Sequence, residues 1–261
     1  MHPILHIAIR AIRKNGNFLL QNYDRKKLEK EKKENIIYIV KKMIHMLEKN
    51  IFFTIQKSYP NHILLKNKFT PTKLNIKNVY WIINALNGTE NFINNIPHFC
   101  IGISIIIKNK IEISVIYDPI KNDLFTSVKG QGSQLNGYRM RCSGSDMNDN
   151  NLIVSMHYPS NFNKKMLTYY TQILEKLILK KIIIRNSGSF LLDLAYVAAG
   201  KITCLFNFDK KNYNLYIGEL QIRESGGLIK SINASNICNN EKLSLLGNFK
   251  SIAIIEEILR F

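Results

Sequence analysis

Apolar residues recur at helical spacing from the start of the chain. Ile4, Ile7, Ala8, Ala11 and Ile12 share one face of residues 2–21, with Arg10, Arg13 and Lys14 on the other. Gly16 interrupts this pattern late. The mixed-charge run from Asp24 to Glu34 predicts a solvated loop or helix end. A long second helix is expected over Asn35–Ser58, with Ile39, Met43, Met46, Leu47 and Ile51 on its buried side. Tyr59-Pro60 ends it, because the ring of a proline pushes the preceding residue out of helical geometry.

The middle of the chain changes period. His62–Leu65 reads as a short strand, and Val79–Ile83 as the end of a buried one. Further strands are expected at Cys100–Ile107, Ile111–Tyr117, Asp123–Val128 and Gln134–Arg141, the last with an Asn136-Gly137 turn. A polar stretch, Ser143 to Asn151, marks the expected boundary between a first unit, 1–145, and a second, 146–261. Beyond it strands (Leu152–Ser155, Ile182–Arg185, Ile202–Phe208) alternate with helices (Asn163–Leu179, Phe190–Ala199, Leu215–Glu224), an α/β pattern. Gly226-Gly227 closes the last of these helices, and a short terminal helix is expected over Ile252–Leu259.

Composition narrows the class. With 261 residues, 46% of them hydrophobic, and a mean hydropathy of −0.11, the chain can bury a full core and is not a disordered one. No apolar run reaches membrane-spanning length, because Cys100–Ile107 is followed by Lys108 and Lys110. No secretion signal is apparent at the N-terminus, so a cytoplasmic location is expected. Cys100, Cys142, Cys204 and Cys238 form no Cys-x-x-Cys and are expected to be isolated buried thiols. The net charge is +18. Such a field attracts nucleic acid or acidic partners. Here, though, the chain is crowded with Lys, Asn and Ile, as A/T-rich coding produces, so its excess lysine spreads over the surface and is weak evidence for a dedicated patch.

The stretch Trp81-Ile-Ile-Asn-Ala-Leu-Asn-Gly-Thr-Glu-Asn-Phe92 organises the rest: a strand runs into an Asn87-Gly88 turn and a helix start at Thr89. A helix N-terminus there aims backbone N–H groups at one point, as a phosphate requires, although a plain turn and cap has the same residues. The stretch resembles the signature of the Mg²⁺-dependent inositol monophosphatase family, Trp-x-x-Asp-Pro-hydrophobic-Asp-Gly-Thr-Thr-Asn-Phe, and lies nearest its bacterial SuhB branch. The likeness extends through Met1-His-Pro, Lys57-Ser-Tyr-Pro60, Tyr117-Asp-Pro119 and Gly130-Gln-Gly-Ser-Gln-Leu-Asn-Gly137. It continues in Asp193-Leu-Ala-Tyr-Val-Ala-Ala-Gly200 and Gly218-Glu-Leu-x-x-Arg-Glu-x-Gly-Gly227, and so covers essentially the whole chain. The fold this implies is a layered αβαβα sandwich of the α+β or α/β class.

The same resemblance implies a site with two or three Mg²⁺ ions held largely by carboxylates. It puts those carboxylates at positions 67, 84, 87 and 214, a backbone carbonyl at 86 and a water-activating Asp at 44. This chain carries Asn67, Asn84, Asn87, Asn214, Leu86 and Ile44 instead. A substrate-hydroxyl Glu falls on Asn207 and the substrate-side Arg on Arg185. Gly88 and Thr89 match the phosphate cradle, while Glu90 replaces Thr and is expected to act as an internal anion at the helix start. A unit-charge pair at 4 Å contributes about 4 kcal/mol at an effective dielectric of 20, so losing several should abolish useful Mg²⁺ affinity. No cofactor is therefore expected. Lys66 or Lys68 could supply charge for phosphate binding without hydrolysis.

The SuhB likeness also implies a non-catalytic role: a homodimer, or a monomer-dimer equilibrium, that joins Nus factors, NusA foremost, on RNA polymerase and supports ribosomal RNA transcription, antitermination and ribosome biogenesis. Direct rRNA contact through the basic surface belongs to that reading. A surviving inositol-1-monophosphatase is the enzyme alternative. His2, His6, His45, His62, His98 and His157 lack metal-ligand spacing and are expected to be structural. Asp193 is expected to pair within the fold, and Glu219, Arg223 and Glu224 to support packing or an interface.

Overall fold

The fold is described from a computed structural model, for residues 2–23, 33–65, 74–142, 152–158, 164–209, 213–233 and 242–259. The expected boundary stretch, Cys238, the charged run 24–32, and Lys66, Asn67 and Lys68 lie outside those residues.

The chain opens with α1 (Pro3–Tyr23) and α2 (Lys33–Gln56). Gly16 does not end α1. A Cβ there would stand 2.4 Å from the ring of Tyr117, so glycine lets a buried aromatic ring lie against the helix. In α2 the buried seam is Val40, Met43, Leu47, Ile51 and Ile55. Ile39 and Met46, expected inside, are exposed. The helix is rotated so that Val40 and Ile55 take their places, and the 3.6-residue repeat leaves 39 and 46 on the far side.

A seven-stranded sheet follows in the order β1-β2-β3-β4-β5-β6-β7. Its strands are β1 (Ile63–Leu65), β2 (Val79–Asn87), β3 (Cys100–Ile107), β4 (Lys110–Asp118), β5 (Asp123–Val128), β6 (Gly132–Leu135) and β7 (Tyr138–Arg139). β1 pairs parallel to β2, and the rest are antiparallel. Asn136 and Gly137 both take positive φ, 52° and 87°, as a two-residue hairpin turn requires. The short helix α3 (Thr89–Ile93) sits between β2 and β3.

The second sheet has the order β11-β12-β10-β8-β9. It comprises β8 (Ile153–Met156), β9 (Ile183–Arg185), β10 (Cys204–Asn207), β11 (Leu228–Asn233) and β12 (Lys242–Gly247). Among them run α4 (Lys164–Leu179), α5 (Phe190–Ala198), α6 (Leu215–Glu224) and α7 (Phe249–Leu259). The pair β11 and β12 was not expected from the sequence.

Alternation along the strands makes the layers. In β2, Trp81, Ile83 and Ala85 face α1 and α2, whereas Tyr80 and Ile82 face α5 and α6. In β10, Leu205 joins that middle layer, and Cys204 and Phe206 face α4 and α7. The order is therefore helices, sheet, helices, sheet, helices, the expected αβαβα sandwich. Two glycines set the middle spacing: a Cβ on Gly102 would lie 2.6 Å from Leu191, and one on Gly218 2.5 Å from Leu194.

Candidate functional site

β2 is longer than its sequence pattern suggests. It runs through Asn84 to Asn87, with an irregular register against β3 between those two residues. There is thus no tight Asn87-Gly88 turn. Gly88 alone changes direction, at φ 90°, and a Cβ there would lie 2.8 Å from the carbonyl oxygen of His98. Only glycine meets both conditions.

This geometry gathers the matched positions around the ends of β2 and α6. Asn84 Nδ2 donates to Asn214 Oδ1 at 2.7 Å, and Asn84 Oδ1 accepts from the Leu86 N–H at 3.2 Å. Asn87 Oδ1 accepts from Ser189 Oγ at 2.9 Å and from the Leu191 N–H at 3.0 Å, which fastens β2 to the start of α5. Thr89 Oγ1 donates to the Leu86 carbonyl at 3.2 Å. Asn214 is held in place by its neighbour: Tyr213 Oη donates to the Ile83 carbonyl at 2.5 Å and accepts from the Ile83 N–H at 3.1 Å. Burial pushes the Tyr213 hydroxyl well above its ordinary value, so it remains a neutral donor.

The remaining positions are less closely joined. Ile44 lies on α2, half-buried and packed on the first apolar cluster. Asn207 ends β10, buried, and donates to the Asp209 carbonyl at 3.0 Å. Arg185 ends the edge strand β9 and is exposed. Glu90 is exposed in the first turn of α3, and no hydrogen bond or ion pair joins its carboxylate to a described residue. It is therefore not the internal anion expected at that helix start. Five residues make only one turn and a half, and Glu90 points outward from it.

For the magnesium that the family likeness implies, the described donor set does not fit. Asn84 Oδ1, Asn87 Oδ1, Asn214 Oδ1 and the Leu86 carbonyl are all neutral, and each already accepts an internal hydrogen bond. Mg²⁺ takes near-octahedral oxygen ligands with carboxylates among them. Among the described residues, no group of three or more His, Cys, Asp or Glu is placed to hold a metal ion.

A buried network the sequence reading did not assemble lies next to these amides. Asp193 is fully buried, and its Oδ2 accepts from Ser155 Oγ at 2.5 Å and Ser187 Oγ at 2.9 Å, with His157 Nε2 at 2.8 Å. Both serines bond the carboxylate directly, so this is a structural junction of α5, β8 and the 186–189 segment and lacks the serine-to-histidine bond of a nucleophilic triad. The same segment is tied to α3, where Asn91 Nδ2 donates to the Ser187 and His98 carbonyls at 2.8 and 2.7 Å. The Asp193-Leu-Ala sequence gave the pairing but not its partners, because Ser155 and Ser187 look like any loop or strand serine. His62, expected to be structural, accepts from Trp81 Nε1 at 2.9 Å, and burial lowers its pKa. Glu224 packs likewise, accepting from the Gly130 and Gly132 N–H groups at 2.9 Å each. Cys100, Cys142 and Cys204 are free and buried, with the Cys142 thiol pushed up to about 12 by burial.

The layered fold is of the inositol monophosphatase type. Residues 1–258 match the inositol monophosphatase family, and the chain belongs to that family. Among its relatives, the Nus factor SuhB of Buchnera aphidicola subsp. Schizaphis graminum is 52% identical over 249 residues, covering 95% of this chain and 90% of that protein. The Nus factor SuhB of Escherichia coli K12 is 38% identical over 249 residues, with the same coverage of 95% and 90%. The crystal structure of extragenic suppressor protein suhB from Bartonella henselae matches with a TM-score of 0.79 and 25% identity over 99% of each chain. No described helix is long and apolar enough to cross a membrane.

Proposed function

We propose that this chain is a Nus factor of the SuhB kind: a cytoplasmic, non-catalytic scaffold in transcription antitermination. It joins NusA and RNA polymerase and supports ribosomal RNA transcription, working as a homodimer. The observation that carries this reading is the closed set of amides at Asn84, Asn87 and Asn214. Asn84 bonded to Asn214, and Asn87 bonded to Ser189 and Leu191, preserve the fold there and supply no charge to hold Mg²⁺. A scaffold needs surfaces rather than metal carboxylates, and the names of the relatives point to transcription rather than hydrolysis. The +18 charge suits an RNA-rich assembly without being specific to one.

A pull-down of purified NusA and RNA polymerase on the tagged chain tests this reading. Retention of both, stable to moderate salt, is the expected result. Failure to retain either at low salt, where charge attraction is strongest, would count decisively against it.

A further inference from the structure

The outward face of α2 carries an unusual side-chain mixture. Tyr38, Lys42, His45, Lys49 and Phe53 follow one another every three or four residues, with Ile39, Lys41 and Met46 flanking them. This stripe is opposite the buried seam and runs about 22 Å from Tyr38 to Phe53 at 1.5 Å per residue. Its apolar members are open to solvent: Tyr38 is 68% exposed, Phe53 69%, Ile39 43% and Met46 41%. Beside it, between α2 and the edge strand β1, lies a cavity of about 440 Å³. Phe52, Ile63 and Leu64 give that cavity its apolar lining, and His45, Glu48, Lys49 and His62 its polar one. Glu48 is the single carboxylate there and stands 4.0 Å from His45.

We propose that this face of α2 docks an acidic amphipathic segment of another protein. Its carboxylates meet Lys42 and Lys49, its apolar side chains cover Ile39 and Met46, and one of them enters the cavity beside β1. Charge complementarity selects the sign of the partner, because Lys42, Lys49 and His45 face solvent on the stripe against one carboxylate, Glu48. The apolar content selects its class. A nucleic-acid strand could use Lys42, Lys49 and the two aromatic rings, but would leave Ile39 and Met46 against phosphate and sugar. Exposed Tyr, Phe and Met match the composition of protein interfaces, and the lysines between them bear on the partner's charge and not on its class.

The test uses the full chain and three fluorescent probes read by anisotropy. These are a Glu-rich helical peptide of about five turns with leucines on one face, a scrambled peptide of the same composition, and single-stranded oligouridylate of similar length. Two variants, Lys42→Glu/Lys49→Glu and Met46→Ser/Phe53→Ser, alter only exposed side chains, and an unchanged melting temperature confirms that they fold. The amphipathic peptide is expected to bind at least roughly tenfold tighter than the scrambled one, and each variant to weaken it by roughly tenfold or more. Sedimentation of the chain alone should give the same association state for the wild type and both variants. The proposal is overturned by equal binding of the two peptides, by preferential binding of the RNA, by absence of binding, or by variants without effect. A change in association state caused by the α2 variants would likewise overturn it, by making the face a contact between copies.

Discussion

Asn84 and Asn214, 130 residues apart, are joined side chain to side chain by a 2.7 Å hydrogen bond from Nδ2 to Oδ1. Two carboxylates in that relation would repel each other unless a cation lay between them. Two amides satisfy each other. One of the contacts that hold the start of α6 against β2, beside the Tyr213–Ile83 pair, is thus made by the residues that remove the charge from the site.

Putting the charge back should reverse this. The triple variant Asn84→Asp/Asn87→Asp/Asn214→Asp is expected to be less stable than the wild type in a metal chelator. It should then be stabilised by added MgCl₂, by about 2.7 kcal/mol at a hundredfold excess over its dissociation constant. The wild type should show no such Mg²⁺-dependent rise. Thermal melts at several MgCl₂ concentrations make the comparison, and an equal response of both chains would contradict it.

Asn87 holds the neighbouring junction. Its Oδ1 accepts from Ser189 and Leu191, both buried. Asn87→Ala leaves two buried donors without their acceptor and should cost about 2–4 kcal/mol. Urea denaturation measures this, and a loss under about 0.5 kcal/mol, the range of ordinary surface changes, would show that the junction is dispensable.

Much of the architecture was legible because burial imposes a period. α5 and α6 fall within a residue of their expected ends, and the β3 to β5 strands likewise, since long apolar runs leave little choice. Helix phase was less legible. In α2, Ile39 and Met46 are as apolar as Val40 and Ile55, and only packing on β2 decides which pair goes inside. The strands β11 and β12 were missed because Leu228-Ile-Lys-Ser-Ile does not alternate apolar with polar and both strands are short, although they pair with each other as consecutive antiparallel strands. At the site, the matched positions could be found from the motif, but not the hydrogen bonds among them. Those join residues as far apart in the chain as Asn84 and Asn214, which no local pattern places together.

Gly88 should tolerate no side chain. Gly88→Ala combines a left-handed backbone, which costs an alanine about 1–2 kcal/mol, with a Cβ at 2.8 Å from a backbone oxygen that cannot swing away. A destabilisation above about 2 kcal/mol is expected in urea melts. A neutral result would mean that the backbone relaxes at little cost.

Asp118 predicts a pH dependence. It is fully buried, and burial pushes its carboxyl up against the N–H bonds from Ile120 and Lys121, which pull it down. A carboxyl held higher in the folded state than in the unfolded chain binds more protons when folded. Its contribution to stability therefore falls as pH rises from about 4, the ordinary Asp value, through the raised folded value. Glu219 is raised by burial too and adds a change of the same sign. Asp118→Asn keeps the acceptor for both N–H groups and should make stability at about pH 7 higher relative to about pH 4 than in the wild type. Urea midpoints at the two values decide, and a relative stability at the higher pH that is unchanged or lower would refute the assignment.

The central claim is that a scaffold of phosphatase type persists around a site unable to hold its magnesium. Phosphate release from inositol 1-phosphate by the purified wild-type chain in excess Mg²⁺ tests it most directly. Release no greater than from a mock purification is the predicted result; release that rises in proportion to the chain and stops on chelation would contradict it.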